Sequence, residues 1–406
     1  MDYRVVILLL AEALFALLLL WRGGALKNAR YLCAAVVFTA LAFALRGVML
    51  DYETLDYQNF LTRWVDFFRT HGGFRAISQP VGNYNIPYLY FLALISGSGI
   101  KDLYLIKLFS IFFDTVLAYA VMQLAGLYRT HPAGKLACFF VVLFWPTVLL
   151  NGSLWGQCDS VYASLAVLAV YLALTDRPVL SMLSAAASFA FKLQAVFILP
   201  VFAVLWMMKK FKWYHFAIFP AAYVVYVLPA VLLGRPFIDT LTLYLSQTGS
   251  IGDGLNYNSP SFFSVFYRFP DPDSTARLFI LVAFGYTLLV LGACLALRRR
   301  LNNKAVLAAA ILLCVGIPFL LPHMHERYFF LADVLTLAAA FACYDLIPAA
   351  ILTEFASLLG YYAYLRMRFL LPMQYGAAAL VITAAIDAAY LLTAVRQGST
   401  NLEKKT

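Results

Sequence analysis

Apolar residues dominate the chain in long runs, and only short polar stretches separate one run from the next. A helix that crosses a bilayer needs roughly 20 consecutive apolar residues. Because the runs are continuous rather than alternating, they indicate helices and not the strands of a membrane barrel. Run length predicts about thirteen transmembrane helices. The predicted spans are 4–21, 31–50, 105–127, 137–151, 158–175, 178–191, 193–209, 214–233, 277–297, 305–321, 328–344, 347–364 and 372–395.

The composition of the chain is that of a membrane protein. Of its 406 residues, 64% are hydrophobic and only 12% are charged, and the mean hydropathy is +0.82. Soluble domains carry about 25% charged residues, and a soluble fold has no interior large enough to hide so much apolar surface. The expected fold is therefore an all-α integral membrane protein. Residues 1–406 are expected to form a single polytopic domain in the lipid bilayer.

The net charge of +10 does not indicate nucleic-acid binding, because the basic residues lie in short clusters between the apolar runs. Clusters of this kind mark cytoplasmic loops. They occur at 22–30, 129–135, 209–212, 298–304 and 396–405, and the predicted spans put all of them on one side. The carboxyl terminus is then expected inside the cell and the amino terminus outside.

One apolar stretch decides this orientation. If residues 84–99 crossed the membrane, every later basic cluster would lie outside. We therefore interpret them as an interfacial or re-entrant helix. Two long segments then remain on the outer side, a first outer loop at 51–104 and a second at 234–276. The polar chemistry of the protein is expected at that face.

Three carboxylates, Asp51, Glu53 and Asp56, lie at the start of the first long segment. A carboxylate beside the apolar part of the membrane suits a general base, but acids are also favoured in the first turn of a helix by its dipole. The spacing leaves both interpretations open. The same groups would suit Mg²⁺ or Mn²⁺, so the sequence also leaves a divalent cation open.

Polar residues interrupt the apolar pattern at two later boundaries. Trp155, Gln157 and Asp159 follow the fourth predicted span, where polar groups usually bind a ligand; the alternative is a simple turn between helices. Lys192 and Gln194 interrupt another apolar stretch. The lysine either snorkels to the interface or neutralises a phosphate group as a point charge.

The remaining candidates lie in the second long segment and after the tenth predicted span. Gln247 precedes a stretch rich in Gly, Asn, Ser and aromatic residues, which suits either a lid that contacts sugar hydroxyls or a set of turns. His323, His325, Glu326 and Arg327 form the sharpest polar cluster, in which two histidines, an acid and an arginine end one predicted span and open the next. The HExxH pattern of zinc proteases is absent, whereas an arginine beside a histidine suits a phosphate group.

Three acids, Asp114, Asp333 and Asp387, fall inside predicted spans. An ionisable residue within the membrane is a functional candidate by default. The sequence names no partner for any of them, and we interpret each as structural.

Four features, in this order along the chain, resemble the GT-C superfamily of polytopic glycosyltransferases. They are Asp-Tyr…Trp at 56–64, Asn-Tyr-Asn-Ile-Pro-Tyr at 83–88, Trp-Gly-Gln-Cys-Asp at 155–159 and His-Met-His-Glu-Arg-Tyr at 323–328. The resemblance covers about residues 31–345. It is closest to bacterial enzymes that decorate cell-envelope polymers. It extends more distantly to the endoplasmic-reticulum glucosyltransferases of lipid-linked oligosaccharides and to the GPI mannosyltransferases. The chain departs from the simplest family pattern by an extra predicted span before the first long segment.

The resemblance implies a multi-pass enzyme of the plasma membrane. It would move a hexose, with inversion, from a polyprenyl-phosphate donor to a cell-envelope or lipid-linked glycan at the extracytoplasmic face. The family's catalytic acid corresponds best to Asp56, with Asp51 as the second choice. The donor phosphate is expected to contact Arg327, His325 and Lys192. The residues expected to bind the rest of the donor and the acceptor are Trp155, Gln157, Asp159, Tyr84, Tyr88, Gln194, Gln247, His323 and Glu326.

Three other functions stay open at this point. A flippase or transporter of lipid-linked glycans shares the many spans, but it should show inverted repeats and polar residues at mid-depth, and the sequence shows neither. A non-catalytic assembly factor would tolerate substitution of Asp56 and Arg327. An O-acyltransferase would use a buried histidine such as His325 with a thioester donor.

Overall fold

The computed structural model describes residues 2–129, 131–244, 254–266 and 268–403, with side chains as far as residue 397. It is 77% helical. Within those ranges the only strands are two residues long, β1 (Asn256–Tyr257) and β2 (Met324–His325). The all-α class is therefore confirmed.

The α-helices follow one another with short 3₁₀ and π segments between them. They are α1 (Tyr3–Arg22), α2 (Ala29–Met49), α3 (Thr62–Thr70), α4 (Ile86–Ile95), α5 (Asp102–Gly126), α6 (Pro132–Phe144), α7 (Pro146–Leu149), α8 (Asp159–Leu174), α9 (Pro178–Phe191), α10 (Val201–Met207), α11 (Ile218–Leu232), α12 (Phe237–Leu241), α13 (Pro272–Ala296), α14 (Asn303–Leu320), α15 (Phe330–Ala342), α16 (Ile347–Arg366) and α17 (Gln374–Glu403). The π segments are Tyr57–Leu61 and Leu150–Trp155, and the 3₁₀ segments are Gly73–Ser78, Leu193–Phe197, Trp213–Ala217, Phe262–Ser264 and Tyr344–Leu346.

Eight helices in the described ranges are long and apolar enough to cross a membrane, and a ninth span results if the bent pair α6 and α7 is counted as one. A helix of about 20 residues spans roughly 30 Å, which is the thickness of the hydrocarbon core. The protein is therefore embedded in a lipid bilayer. The eight are α1, α2, α5, α11 with its preceding 3₁₀ turn, α13, α14, α16 with its preceding turn, and α17.

Several predicted spans correspond to shorter apolar helices, so the count of thirteen stays a prediction. Helices α8, α9 and α15 have 16, 14 and 13 residues. The predicted span 193–209 is not one regular helix. It starts as a 3₁₀ turn, and α10 begins only after Pro200, whose ring leaves no backbone N–H for a continuous ladder. The predicted interfacial or re-entrant segment forms α4, whose 10 residues span only about 15 Å.

A sharp bend follows α6. The helix ends at Phe144, α7 starts at Pro146, and the axis of Pro146–Trp155 differs from that of α6 by 50°. Pro146 cannot donate the next backbone hydrogen bond, which explains the break. The chain then runs through the second π segment and reaches the left-handed Gly156, with φ 80°.

The chain forms two compact units, each assembled from segments that are not contiguous in the sequence. The first contains Met1–Tyr171, Val179–Ala195 and Ala217–Ile251, and the second contains Leu172–Pro178, Val196–Phe216 and Gly252–Thr406. In the first unit, the segment after α2 folds over a buried apolar core with α5 and α11. Members of that core include Tyr57, Leu61, Val65, Phe68, Ile86, Leu89, Leu92, Ile106, Val227 and Ala230. In the second unit, α14 is buried along most of its length and packs against α13, α15 and α17.

Candidate active site

Asp56 lies directly before the first π segment and is partly exposed. One of its carboxylate oxygens, Oδ2, accepts two hydrogen bonds: the indole N–H of Trp155 donates at 2.9 Å and the amide of Gln157 at 2.7 Å. The other oxygen, Oδ1, has no donor among the described residues. The side chain is therefore held in place through one oxygen, while the second oxygen is left to take a proton.

The backbone around Gly156 brings both donors to the same oxygen. Gly156 adopts a left-handed conformation that suits glycine, and it lies between the two donor residues. Two hydroxyl groups hold the backbone on either side. Thr54 donates to the carbonyl of Trp155 at 3.3 Å, and Ser110 of α5 donates to the carbonyl of Gln157 at 2.7 Å. Single π turns inside helical segments are frequent at functional sites, and two of them meet here.

An aromatic side chain orients the Gln157 amide. The hydroxyl of Tyr84 donates to Gln157 Oε1 at 3.1 Å. The amide nitrogen therefore faces Asp56, and Gln157 is almost fully buried, with 3% of its surface exposed. The Tyr84 ring packs between Tyr88 and Trp64, at centroid distances of 4.6 and 5.6 Å. Tyr88 is itself buried.

A buried ion pair lies beside this group. The ammonium of Lys192 donates to one oxygen of Asp159, and the amide of Asn151 donates to the other oxygen at 2.7 Å. The side chains of Lys192 and Asp159 are only 8% and 1% exposed. Lys192 Nζ also lies 6.0 Å from the centre of the Tyr84 ring and 6.0 Å from that of Tyr162. The cation is thus separated from the Gln157 and Asp56 pair by a single tyrosine.

The other two acids of the first long segment have different partners. Tyr104 donates to exposed Asp51 at 2.6 Å, and Lys101 bonds to Glu53 at 2.6 Å. The neighbouring ammonium lowers the pKa of Glu53. Over the part of the chain that the structure describes, no three His, Cys, Asp or Glu side chains group closely enough to hold a metal ion.

An apolar cavity of about 340 Å³ opens between α4, α9 and α11. It is lined by Pro87, Tyr90, Ala187, Ala190, Phe191, Val225, Tyr226 and Pro229. Phe191 directly precedes Lys192 in the sequence. The chain therefore passes from the cavity wall to the buried ammonium in one residue.

The second unit holds the histidine and arginine cluster, where each polar side chain has a partner. His323 Nδ1 lies 2.8 Å from the carbonyl of Gly254, and the ring of His325 stacks on Tyr257 with centroids 4.7 Å apart. Strands β1 and β2 pair in parallel at the same place. Arg327 donates to buried Glu326 at 2.7 Å. The cluster therefore fastens the 254–258 segment to the start of α15.

Two of the predicted binding residues stand apart from these contacts. Gln194 lies in the 3₁₀ turn after α9 and is 8% exposed, and its side-chain oxygen has no partner within the described ranges. Gln247 lies outside the described residues.

Reasoning from the sequence missed two buried cations, Arg46 in α2 and Lys107 in α5. Lys107 is fully buried and donates to the carbonyls of Met49, Leu50 and Tyr52 at 2.7, 3.1 and 2.6 Å. It thereby fixes the start of the segment that carries Asp56. A charged residue inside an apolar run was the available signal.

The three acids in predicted spans differ in their surroundings. Asp114 pairs with Arg46, and Asp333 accepts a hydrogen bond from Ser357 at 2.8 Å. Asp387 is fully buried, and neither of its oxygens has a partner among the described residues. Asp114 and Asp333 thus each have a polar partner among the described residues, and the interpretation of the three acids as structural stays a prediction.

Compared with known proteins, the chain matches no model of a protein family, and no curated protein matches its sequence significantly.

Proposed function

We propose that the protein is a membrane glycosyltransferase that moves a hexose from a polyprenyl-phosphate donor to a glycan acceptor, with Asp56 as the general base. The observation that carries the proposal is the asymmetric environment of Asp56. Trp155 and Gln157 hold one oxygen, and the other has no donor in the described ranges. A sugar hydroxyl is a poor nucleophile, and a positioned base within hydrogen-bond reach accelerates its attack.

The chemistry is a single displacement. The acceptor hydroxyl oxygen forms a bond to the anomeric carbon of the donor hexose, and the bond from that carbon to the phosphate oxygen breaks. The hydroxyl proton goes to Asp56 Oδ1, and polyprenyl phosphate leaves with the electron pair. One displacement inverts the anomeric carbon.

Lys192 is proposed to stabilise the negative charge that develops on the leaving phosphate. A preorganised cation in a site of low dielectric is effective in this role. Its ammonium is buried and paired with Asp159, so the phosphate has to share the cation with that carboxylate. The sequence resemblance extends the same role to Arg327 and His325.

The apolar cavity is proposed to take the first isoprene units of the donor. Its volume of about 340 Å³ is at the lower end of the range for ligand pockets, which is roughly 300–1,000 Å³. The remainder of the chain would lie in the surrounding lipid. The adjacency of Phe191 and Lys192 supports this arrangement, because a lipid phosphate joins an apolar chain directly to a negative charge.

The proposal includes the topology predicted from the basic clusters. The protein would have about thirteen spans in the plasma membrane, with its carboxyl terminus inside and the Asp56 site at the extracytoplasmic face. The acceptor would be a cell-envelope or lipid-linked glycan.

The test is release of polyprenyl phosphate by the purified protein in liposomes with short-chain polyprenyl-phosphate hexoses, where water takes the place of the acceptor hydroxyl and receives the hexose. We expect release by the wild type, and loss of at least about 100-fold in Asp56→Asn, in line with general acid–base contributions of 10²–10⁴. Asp66→Asn is the matched control, because Asp66 is an exposed carboxylate of the same segment whose one ion-pair partner in the described ranges is Arg69.

The other outcomes are equally informative. If Asp56→Asn keeps wild-type release, the assignment of the base is wrong, and Asp51→Asn becomes the next variant. If no donor is turned over, even with envelope extract as the source of acceptor, the glycosyltransferase proposal is refuted. The transporter of lipid-linked glycans then becomes the leading function.

A further inference from the structure

A second buried ion pair lies within the first unit, and neither of its residues is assigned to the reaction. Arg46 of α2 and Asp114 of α5 are 3.2 Å apart, and both side chains are completely buried. A second hydrogen bond runs from Arg46 to the carbonyl of Leu143 at 2.9 Å. Leu143 lies in the last turn of α6, immediately before the 50° bend. The guanidinium therefore binds the backbone at the point where the helix breaks.

The Asp114 carboxylate contacts the chain on both sides of the Trp155 and Gln157 donors. Before them, a Cβ added to Gly152 would lie only 2.9 and 3.0 Å from the two carboxylate oxygens. After them, the hydroxyl of Ser160 donates to Asp114 Oδ1. Only glycine allows so close an approach of the π segment to the carboxylate.

One face of α5 contacts several of the backbone segments that surround the candidate site. Lys107, Ser110 and Asp114 are spaced i, i+3 and i+7, and residues at this spacing share a helix face. The first binds the carbonyls of 49–52, and the second binds the carbonyl of Gln157. The third pairs with Arg46, which binds the Leu143 carbonyl at the bend, and it lies close against Gly152 of the π segment. Since α5 is one continuous helix of 25 residues, it fixes these segments relative to one another.

We propose that Arg46 and Asp114 are positioning residues that set the location of Trp155 and Gln157 against Asp56 from within the membrane. The inference rests on the proposed function, because it gives the pair a role in the same reaction. The pair touches no reacting atom. It acts through the bend after α6 and through the π segment, which together carry the two donors to Asp56 Oδ2.

The first test is Gly152→Ala, which places a methyl group against Asp114 and forces the π segment away by a few tenths of an ångström. We expect kcat for polyprenyl-phosphate release to fall on the order of 10- to 100-fold, as small misplacements of catalytic groups do, while KM changes less than about threefold. Gly134→Ala in α6 is the matched control, because its added Cβ meets no atom within 4 Å. An unchanged kcat in a folded Gly152→Ala protein would overturn the proposal.

A double-mutant cycle tests the route through Trp155. If Gly152→Ala lowers kcat by moving the Trp155 indole, its effect on kcat should be smaller than about threefold in a protein that already carries Trp155→Phe. The effects of coupled residues are not additive. Full additivity of the two effects would overturn the proposed route. If Gly152→Ala does not fold, Ser160→Ala replaces it, since that change removes one hydrogen bond to Asp114 and keeps the ion pair.

A readout that does not depend on activity separates this inference from the proposed function. Protein with ¹⁵N-labelled tryptophan gives an indole N–H resonance for each of its six tryptophans, and Trp155→Phe identifies one of them. We expect Gly152→Ala to move that resonance and Gly134→Ala to leave it in place. If the wild type turns over no donor, the proposed function fails, and the resonance alone decides the geometry: a shift supports the link from Asp114 to Trp155, and no shift overturns it.

Discussion

The substitution Gln157→Glu turns the donor to Asp56 into a second acid without changing the size of the side chain. The amide nitrogen lies 2.7 Å from Asp56 Oδ2, and the amide oxygen accepts from Tyr84. In the variant, a carboxylate oxygen occupies the place of the nitrogen. Both acids cannot then be ionised without strong repulsion, so one proton is held between them. We expect the base to be freed for catalysis only at higher pH.

The size of the effect follows from the distance. Two like charges 4 Å apart repel by about 4 kcal/mol at an effective dielectric constant of about 20, and these oxygens would be closer. Since about 1.36 kcal/mol corresponds to one pH unit, the acid limb of the pH–rate profile should move up by roughly two to three units. Gln157→Met loses the donor but adds no charge. Losing a charge-assisted hydrogen bond costs about 1.5–3 kcal/mol, so the acid limb of the pH–rate profile of Gln157→Met should move up by only about one to two pH units.

The assay is the initial rate of polyprenyl-phosphate release from liposomes across the pH range in which the wild type stays folded. We expect Gln157→Glu to recover part of its activity at alkaline pH and Gln157→Met to show a smaller displacement of the same limb. Coincident profiles for the two variants would refute the reasoning, because they would show that the added charge does not reach Asp56. A wild-type profile for Gln157→Glu would refute it as well.

Three further predictions concern the surroundings of the site. Lys107→Met should lower the free energy of unfolding by about 2 kcal/mol or more, because hydrogen bonds to a charged group contribute about 1.5–3 kcal/mol each. Thermal unfolding in detergent measures this change. Lys101→Met, at a surface residue, is the control, and its free energy of unfolding should stay within about 1 kcal/mol of the wild-type value. Tyr84→Phe should lower kcat about tenfold, a loss of about 1.4 kcal/mol, because the Gln157 amide is no longer oriented; an unchanged kcat would contradict the role of the hydroxyl. Ala190→Trp should fill the apolar cavity and raise KM for long-chain donors more than for water-soluble short-chain ones; equal changes for both would contradict occupation of the cavity by the isoprenoid.

The fold class followed from the sequence because a bilayer imposes a simple length rule on apolar runs. The number of spans was harder to predict, since run length does not reveal where a helix breaks. Pro146 and Pro200 interrupt apolar stretches that composition alone presents as continuous. Short helices such as α4 are equally apolar and differ from true spans only in length.

The members of the candidate site could be named from sequence, but their arrangement could not. Asp56 and Trp155 are separated by 99 residues, and nothing in either motif shows that the two bind each other. Polar residues at the ends of apolar runs were a usable signal. Arg46 and Lys107 lie inside such runs, and their side chains donate hydrogen bonds to backbone carbonyls. These partners become visible only when α2, α5 and the bend are packed together.

The division of the first unit along the chain has a consequence for biosynthesis. Its segments are interleaved with those of the second unit, so the ribosome completes Leu172–Pro178 and Val196–Phe216 before α11 is made. Domains commonly fold from the amino terminus during synthesis, but α4 cannot finish that way. The hydroxyl of Tyr90 in α4 accepts from the amide of Ala230 in α11 at 2.9 Å. The packing of α4 is therefore completed only by a helix that is translated about 130 residues later. A nascent chain halted before α11 should be a substrate for membrane quality control.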